Sequence, residues 1–99
     1  MLTEMRLYTT HPGKAGAFVK LYQEEGLPVQ LPLGPKLKAM YRQEVGDPNQ
    51  VILIWEYQSY EDRIAIRDEL FKVPAWMEFL QKAAPLVLAE ENKLLNQVQ

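Results

Sequence analysis

The chain has no cysteine and a single histidine, His11. Without thiols, disulfides, iron–sulfur clusters, cysteine zinc sites and thiol catalysis are excluded. One imidazole cannot build a histidine metal triad, and a two-histidine site would need two copies of the chain. Positive charge is not in excess either. Eleven Lys and Arg stand against 13 Asp and Glu, a net charge of −2, whereas nucleic acid binding calls for a basic stripe. No stretch approaches the ~20 apolar residues of a membrane span. The first ten residues carry Glu4 and Arg6 where a secretory signal would have an apolar run. These absences predict no metal, no cofactor, no nucleic acid partner, no membrane and a cytoplasmic address.

What is present reads as one domain over residues 1–99, with 47% hydrophobic and 24% charged residues, ordinary for a globular protein. A core this small is often completed by association with a second copy.

Alternation in "TEMRLYTT" predicts a strand that turns Glu4, Arg6 and Tyr8 one way and Met5 and Leu7 the other. Pro12 suits the first turn of a helix, and "KAGAFVKLYQEE" sets Phe18, Leu21 and Tyr22 at helical spacing. Gly26 reads as its stop and Pro28 as a restart, with "PVQLPLGP" an irregular or one-turn segment. "KLKAMYRQEV" alternates, placing Leu37, Ala39, Tyr41 and Val45 on one face and Lys38, Arg42 and Glu44 on the other, as suits a sheet edge. "GDPN" is a turn, and "QVILIWEYQ" is apolar on both faces, the mark of a central strand forming a hairpin with the one before it. Ser59 and Asp62 make a capping box for a helix with Tyr60, Ile64, Arg67 and Phe71 on one stripe and Arg63, Ile66 and Leu70 beside it. Pro74 opens a further helix bearing Trp76, Phe79 and Leu80, and Pro85 closes it. The tail "LVLAEENKLLNQVQ" fits helix by propensity and strand by its leucine period.

With a strand in the tail the order is β-α-β-β-α-β, a ferredoxin-like α+β fold whose first and third strands are central in a four-stranded antiparallel sheet. Two helices cover one face of such a sheet. The apolar second face predicts face-to-face dimerisation, because burial of apolar area stabilises by ~25 cal/mol per Å².

Four segments together resemble the NIPSNAP family of the dimeric α+β barrel superfamily. They are "EMRLYTTHPGK", "NQVILIWEYQSYEDR", "PAWMEFL" and "EENKLL", in order along nearly the whole chain. The resemblance implies a ferredoxin-like domain that pairs into a homodimeric α+β barrel, and hence a strand in the tail. The wider superfamily includes cofactor-independent monooxygenases and isomerase-like proteins with pockets between sheet and helices, but fold does not transfer function.

The candidate ligand-binding residues are Glu4, Arg6, Tyr8, Asn49, Trp55, Tyr57 and Arg63. Glu4, Arg6 and Tyr8 form either a polar seam fixing register, or a site in which Arg6 grips an anion, Tyr8 orients a carbonyl or phenol, and Glu4 holds Arg6. Trp55 and Tyr57 are either core and interface packing or an aromatic wall. Arg63 either pairs with Glu56 or another acid, or rims a pocket. Asn49 opens a strand from a turn, with turn chemistry as its alternative role. Trp76 and Phe79 are read as core, and Glu90, Glu91 and Asn92 as solvated charge or dimer contact. His11 and Ser59 lack catalytic partners. "PGKAG" lacks the glycine and hydroxyl spacing of a phosphate loop. No catalytic residue is identified. The readings are a small-molecule binding or interaction module for an apolar or aromatic ligand, a cofactor-independent enzyme acting on an aromatic or enolisable molecule, and a purely structural dimerisation domain.

Overall fold

The alternation of the first strand is realised directly. In the computed structural model, which describes all of residues 1–99, β1 (Leu2–Thr10) buries Glu4, Arg6, Tyr8 and Thr10 and leaves the residues between them partly exposed. β3 (Gln50–Tyr57) alternates in the same way, with Val51, Leu53 and Trp55 wholly buried. The strand order is β2-β3-β1-β4, where β2 spans Lys36–Arg42 and β4 spans Val87–Leu95. All pairings are antiparallel, so the fold is ferredoxin-like α+β with β1 and β3 central. The tail is a strand. Propensity yields there to the ladder that this nine-residue strand makes with β1.

The first helical segment is longer than the sequence predicts. α1 (Ala15–Leu21) does not stop at Gly26. It runs through a π-helical turn, Tyr22–Gly26, into a short α2 (Leu27–Gln30) and a 3₁₀ turn, Leu31–Leu33. The Leu27 N–H bonds to the Tyr22 carbonyl, a widened turn of the kind that admits an inserted residue. Pro28 then sits near the helix start, where a missing N–H goes unneeded. Gly26 serves packing. A Cβ there would lie 3.0 Å from Tyr22 Cδ1 and 3.1 Å from Phe79 Cζ. The stop comes at Gly34, whose φ of 108° turns the chain into β2.

Two further expectations are corrected. A register shift between Leu37 and Ala39 sends Leu37 to the face of Trp55, while Ala39 and Tyr41 pair with Ile54 and Ile52 on the other. One extra residue in a strand inverts the alternation. Val45 lies beyond β2 and is 89% exposed. On α3 (Tyr60–Leu70), the core side is the flanking row of Arg63, Ile66 and Leu70. Tyr60, Ile64 and Phe71 face outward. The Ser59 hydroxyl caps the helix by accepting from the Asp62 N–H at 3.1 Å, as the capping box predicts.

The helices, including α4 (Pro74–Ala83), pack on the Glu4–Arg6–Tyr8 face. The molecule is a slab 18 Å thick, room for a sheet and one helix layer. The opposite sheet face, with Met5, Leu7, Ala39, Tyr41, Ile52 and Ile54, carries no layer of its own chain. No helix is long and apolar enough to cross a membrane.

Gly26 gives the sharpest test of the helix layer. Tyr22 and Phe79 stack edge-to-face at 5.0 Å and are both buried, so a methyl group at Gly26 forces that pair apart. Gly26→Ala is expected to destabilise the fold by about 1 kcal/mol, overpacking exceeding the helix-propensity gain. Urea denaturation measures it, and an unchanged or raised midpoint would show that the packing relaxes.

Candidate functional site

Burying a carboxylate demands donors around it. Glu4 is fully buried on β1, and its Oε2 accepts from Arg6 Nη1 at 3.2 Å, Arg63 Nη2 at 2.7 Å and Arg63 Nε at 3.2 Å. Arg6 comes from the same strand two residues on, and Arg63 reaches in from the first turns of α3. Arg63 therefore pairs with Glu4, not Glu56, and fastens α3 to the sheet. Glu4 Oε1 and the Trp55 indole N–H, on directly opposed positions of β1 and β3, are buried without partners.

Arg6 is engaged through all three of its nitrogens. Its Nε donates to Tyr8 Oη at 2.9 Å, Nη1 to Glu4, and Nη2 to Glu90 on β4. The Asn92 amide, turned to present its oxygen, also accepts from Nη1 at 3.1 Å. Burial favours loss of the Arg6 proton, but the oxygens of Tyr8, Glu4 and Glu90 outweigh it and hold the guanidinium charged above its ordinary range. Burial raises the Tyr8 phenol above the usual tyrosine value despite the pull of Arg6, so Tyr8 keeps its proton at neutral pH.

Beside this cluster, between sheet and helices, lies a cavity of about 450 Å³. Arg6 and Tyr8 form its floor, with Val87 and Glu90 from β4. Phe18, Tyr22, Trp76 and Phe79 form its aromatic wall, in which successive rings from Phe18 to Trp76 lie 5.0–5.8 Å apart. Arg67 and Phe71 from the end of α3, and Leu80, Ala83 and Ala84 beside them, complete it. The size and largely apolar lining match small-molecule sites in general.

The structure brings together Glu4, Arg6, Tyr8 and Arg63 but divides their tasks. Arg6 and Tyr8 touch the cavity, while Glu4 and Arg63 stand behind it. Trp55 and Tyr57 share the helix-facing side of the sheet but belong to the core and do not line the cavity. Asn49 lies apart. Its Oδ1 accepts from the Gly13 N–H at 3.1 Å and its carbonyl from the Thr10 N–H at 2.8 Å, closing the corner between β1 and α1. Glu90 and Arg67 are cavity residues that the sequence reading placed elsewhere. Their signals were a glutamate that falls opposite Tyr8 once the tail pairs with β1, and an arginine inside an otherwise apolar stripe.

Comparison with known proteins agrees with this architecture. The NIPSNAP family model matches residues 3–99. A protein described as a NipSnap homolog from Dictyostelium discoideum is 30% identical over 95 residues, which cover 93% of this chain and 40% of that protein. The chain thus spans less than half of that relative's length. An uncharacterized NIPSNAP domain protein from Burkholderia xenovorans superposes with a TM-score of 0.93 at 34% identity, over 99% of this chain and 95% of that one. A NIPSNAP family protein from Agrobacterium tumefaciens superposes at 0.89 and 33% identity, over 96% and 90% of the two chains. A putative antibiotic biosynthesis monooxygenase from Nitrosomonas europaea covers both chains fully at a TM-score of 0.75, with 12% identity, a likeness of fold.

The Glu4 cluster predicts a stability defect. Glu4→Gln removes the charge that balances two guanidiniums, and is expected to cost about 3 kcal/mol, in the range for breaking a buried pair. Chemical denaturation is the measurement. A loss below about 0.5 kcal/mol, typical of a surface substitution, would show that the cluster does not hold α3 to the sheet.

Proposed function

The chain belongs to the NIPSNAP family, and from that premise we propose that it is a small-molecule binding module, its ligand held between sheet and helices. The observation that carries this reading is the 450 Å³ cavity walled by aromatic rings and floored by Arg6 and Tyr8. A purely structural role accounts for Glu4, Arg6 and Arg63, whose charges are paired, but not for open space walled by four aromatic residues. Binding is preferred to catalysis on the state of the polar groups. Both carboxylates at the cluster are committed to guanidiniums, and Tyr8 keeps its proton.

The protein functions as a homodimer in this reading, closed through the uncovered sheet face. Met5, Leu7, Ile52 and Ile54 support it, being apolar, only partly buried and central in the sheet. The cavity lies on the other side, so dimerisation leaves it open.

Two outcomes are expected. In sedimentation the protein runs as a dimer, and Ile54→Lys shifts it to monomer; a wild-type monomer at micromolar concentration would exclude the paired sheet face. The neutral fluorescent probe N-phenyl-1-naphthylamine brightens on binding the native protein. Ala84→Trp, at an exposed position on the cavity wall, abolishes the brightening while the melting temperature is held or raised. Probe binding unaffected by Ala84→Trp would place it outside the cavity.

A further inference from the structure

The polar groups at the cavity are unevenly balanced, in charge and in hydrogen bonding. Three guanidiniums, Arg6, Arg63 and Arg67, gather near two carboxylates, Glu4 and Glu90. Arg6 and Arg63 are paired; Arg67 has no carboxylate within ion-pair distance. It stands half-buried on the cavity wall with its guanidinium 5.5 Å from the Phe71 ring centre, a stacking contact that steadies the side chain without neutralising it.

Hydrogen-bonding capacity is biased the same way. Tyr8 Oη accepts from Arg6 Nε, and the phenol proton has no acceptor in the protein. Glu90, the one carboxylate lining the cavity, is already engaged by Arg6. The cavity therefore offers the Tyr8 hydroxyl as a donor and the Arg67 guanidinium as a surplus positive charge, set among aromatic surfaces. A buried donor left unpaired is costly, so the complementary ligand brings acceptors. The unpaired cation decides for a charged acceptor over a neutral one.

Resting on the binding reading above, we propose that the ligand is an apolar or aromatic molecule with a single carboxylate head group, and that Arg67 is its anchor. Tyr8 donates to the same head group, and the hydrocarbon body lies against Phe18, Phe79 and Trp76. Glu90 limits the site to one negative charge, because its own carboxylate sits on the floor and repels a second.

The test uses the full chain loaded with N-phenyl-1-naphthylamine and two competitors of one shape, 2-naphthoate and 2-naphthamide, at neutral pH. The carboxylate is expected to displace the probe at least about tenfold more tightly than the amide, the scale of a charge-assisted contact. Arg67→Gln abolishes this preference by weakening the carboxylate and leaving the amide unchanged. Glu90→Gln moves the other way and tightens the carboxylate severalfold. A merely structural role for either residue would move both competitors together. Probe binding with equal displacement by the two competitors overturns the anionic head group and leaves the cavity reading intact. Failure of the native protein to bind the probe overturns both. Arg67 is half-buried and unpaired, so its loss should not unfold the chain. A circular dichroism melt checks this, and Arg67→Lys, which keeps the charge, should retain part of the preference.

Discussion

A carboxylate removed from water has to be met by donors, and much of this molecule is arranged around that requirement at Glu4. Its Oε2 holds Arg6 from its own strand and Arg63 from α3, so one atom joins the central sheet to the helix layer. The pairing sets the roll of α3. Arg63 has to point inward, which carries Ile66 and Leu70 inward with it, one turn and two turns along. Tyr60, Ile64 and Phe71 are thereby turned outward, although their apolar character alone would bury them. Arg67 is left at the margin, against the cavity. The same constraint fixes Arg6, whose remaining donors go to Tyr8, Glu90 and Asn92 and tie β1 to the edge strand β4.

Most of the fold was legible in the residues because local signals agreed with one another. β1 alternates, β3 is apolar on both faces as a central strand should be, "GDPN" turns, Ser59 caps, and Pro74 opens a helix, and each of these holds in the structure. The failures have physical causes. Gly26 and Pro28 look like breakers, but a π turn admits both, and the glycine is needed because two aromatic rings crowd its Cα. The bulge in β2 leaves no trace in "KLKAMYR", since one extra residue inverts a period of two without altering composition. The tail is ambiguous by propensity and is decided by its ladder with β1 and, in the sequence, by family resemblance.

The site was half legible. A row of acid, base and phenol on a central strand cannot simply be solvated, and Glu4, Arg6 and Tyr8 are indeed buried together. Which of them binds and which supports is a matter of long-range pairing. In sequence Arg6 is either part of a polar seam or an anion anchor held by Glu4, and Glu90, delivered by β4, takes up its remaining charge. Arg67 looked like a stripe residue until α3 was rotated by Arg63. Trp55 and Tyr57, the conspicuous aromatics, fill the core, while less conspicuous ones on α1 and α4 line the cavity. The family relationship explains the architecture, and the 12% identity to a monooxygenase of the same fold brings no chemistry with it.

The central claim is a division of labour among three arginines: Arg6 and Arg63 locked on Glu4, and Arg67 free at the cavity. Nitrogen–proton correlation NMR of the arginine Nε–Hε groups reads this division directly, because a hydrogen-bonded, buried Hε exchanges with water far more slowly than an open one. The account predicts protected Hε signals for Arg6 and Arg63 in the free protein and rapid exchange for Arg67. Exchange at Arg6 or Arg63 as fast as at Arg67 would contradict it.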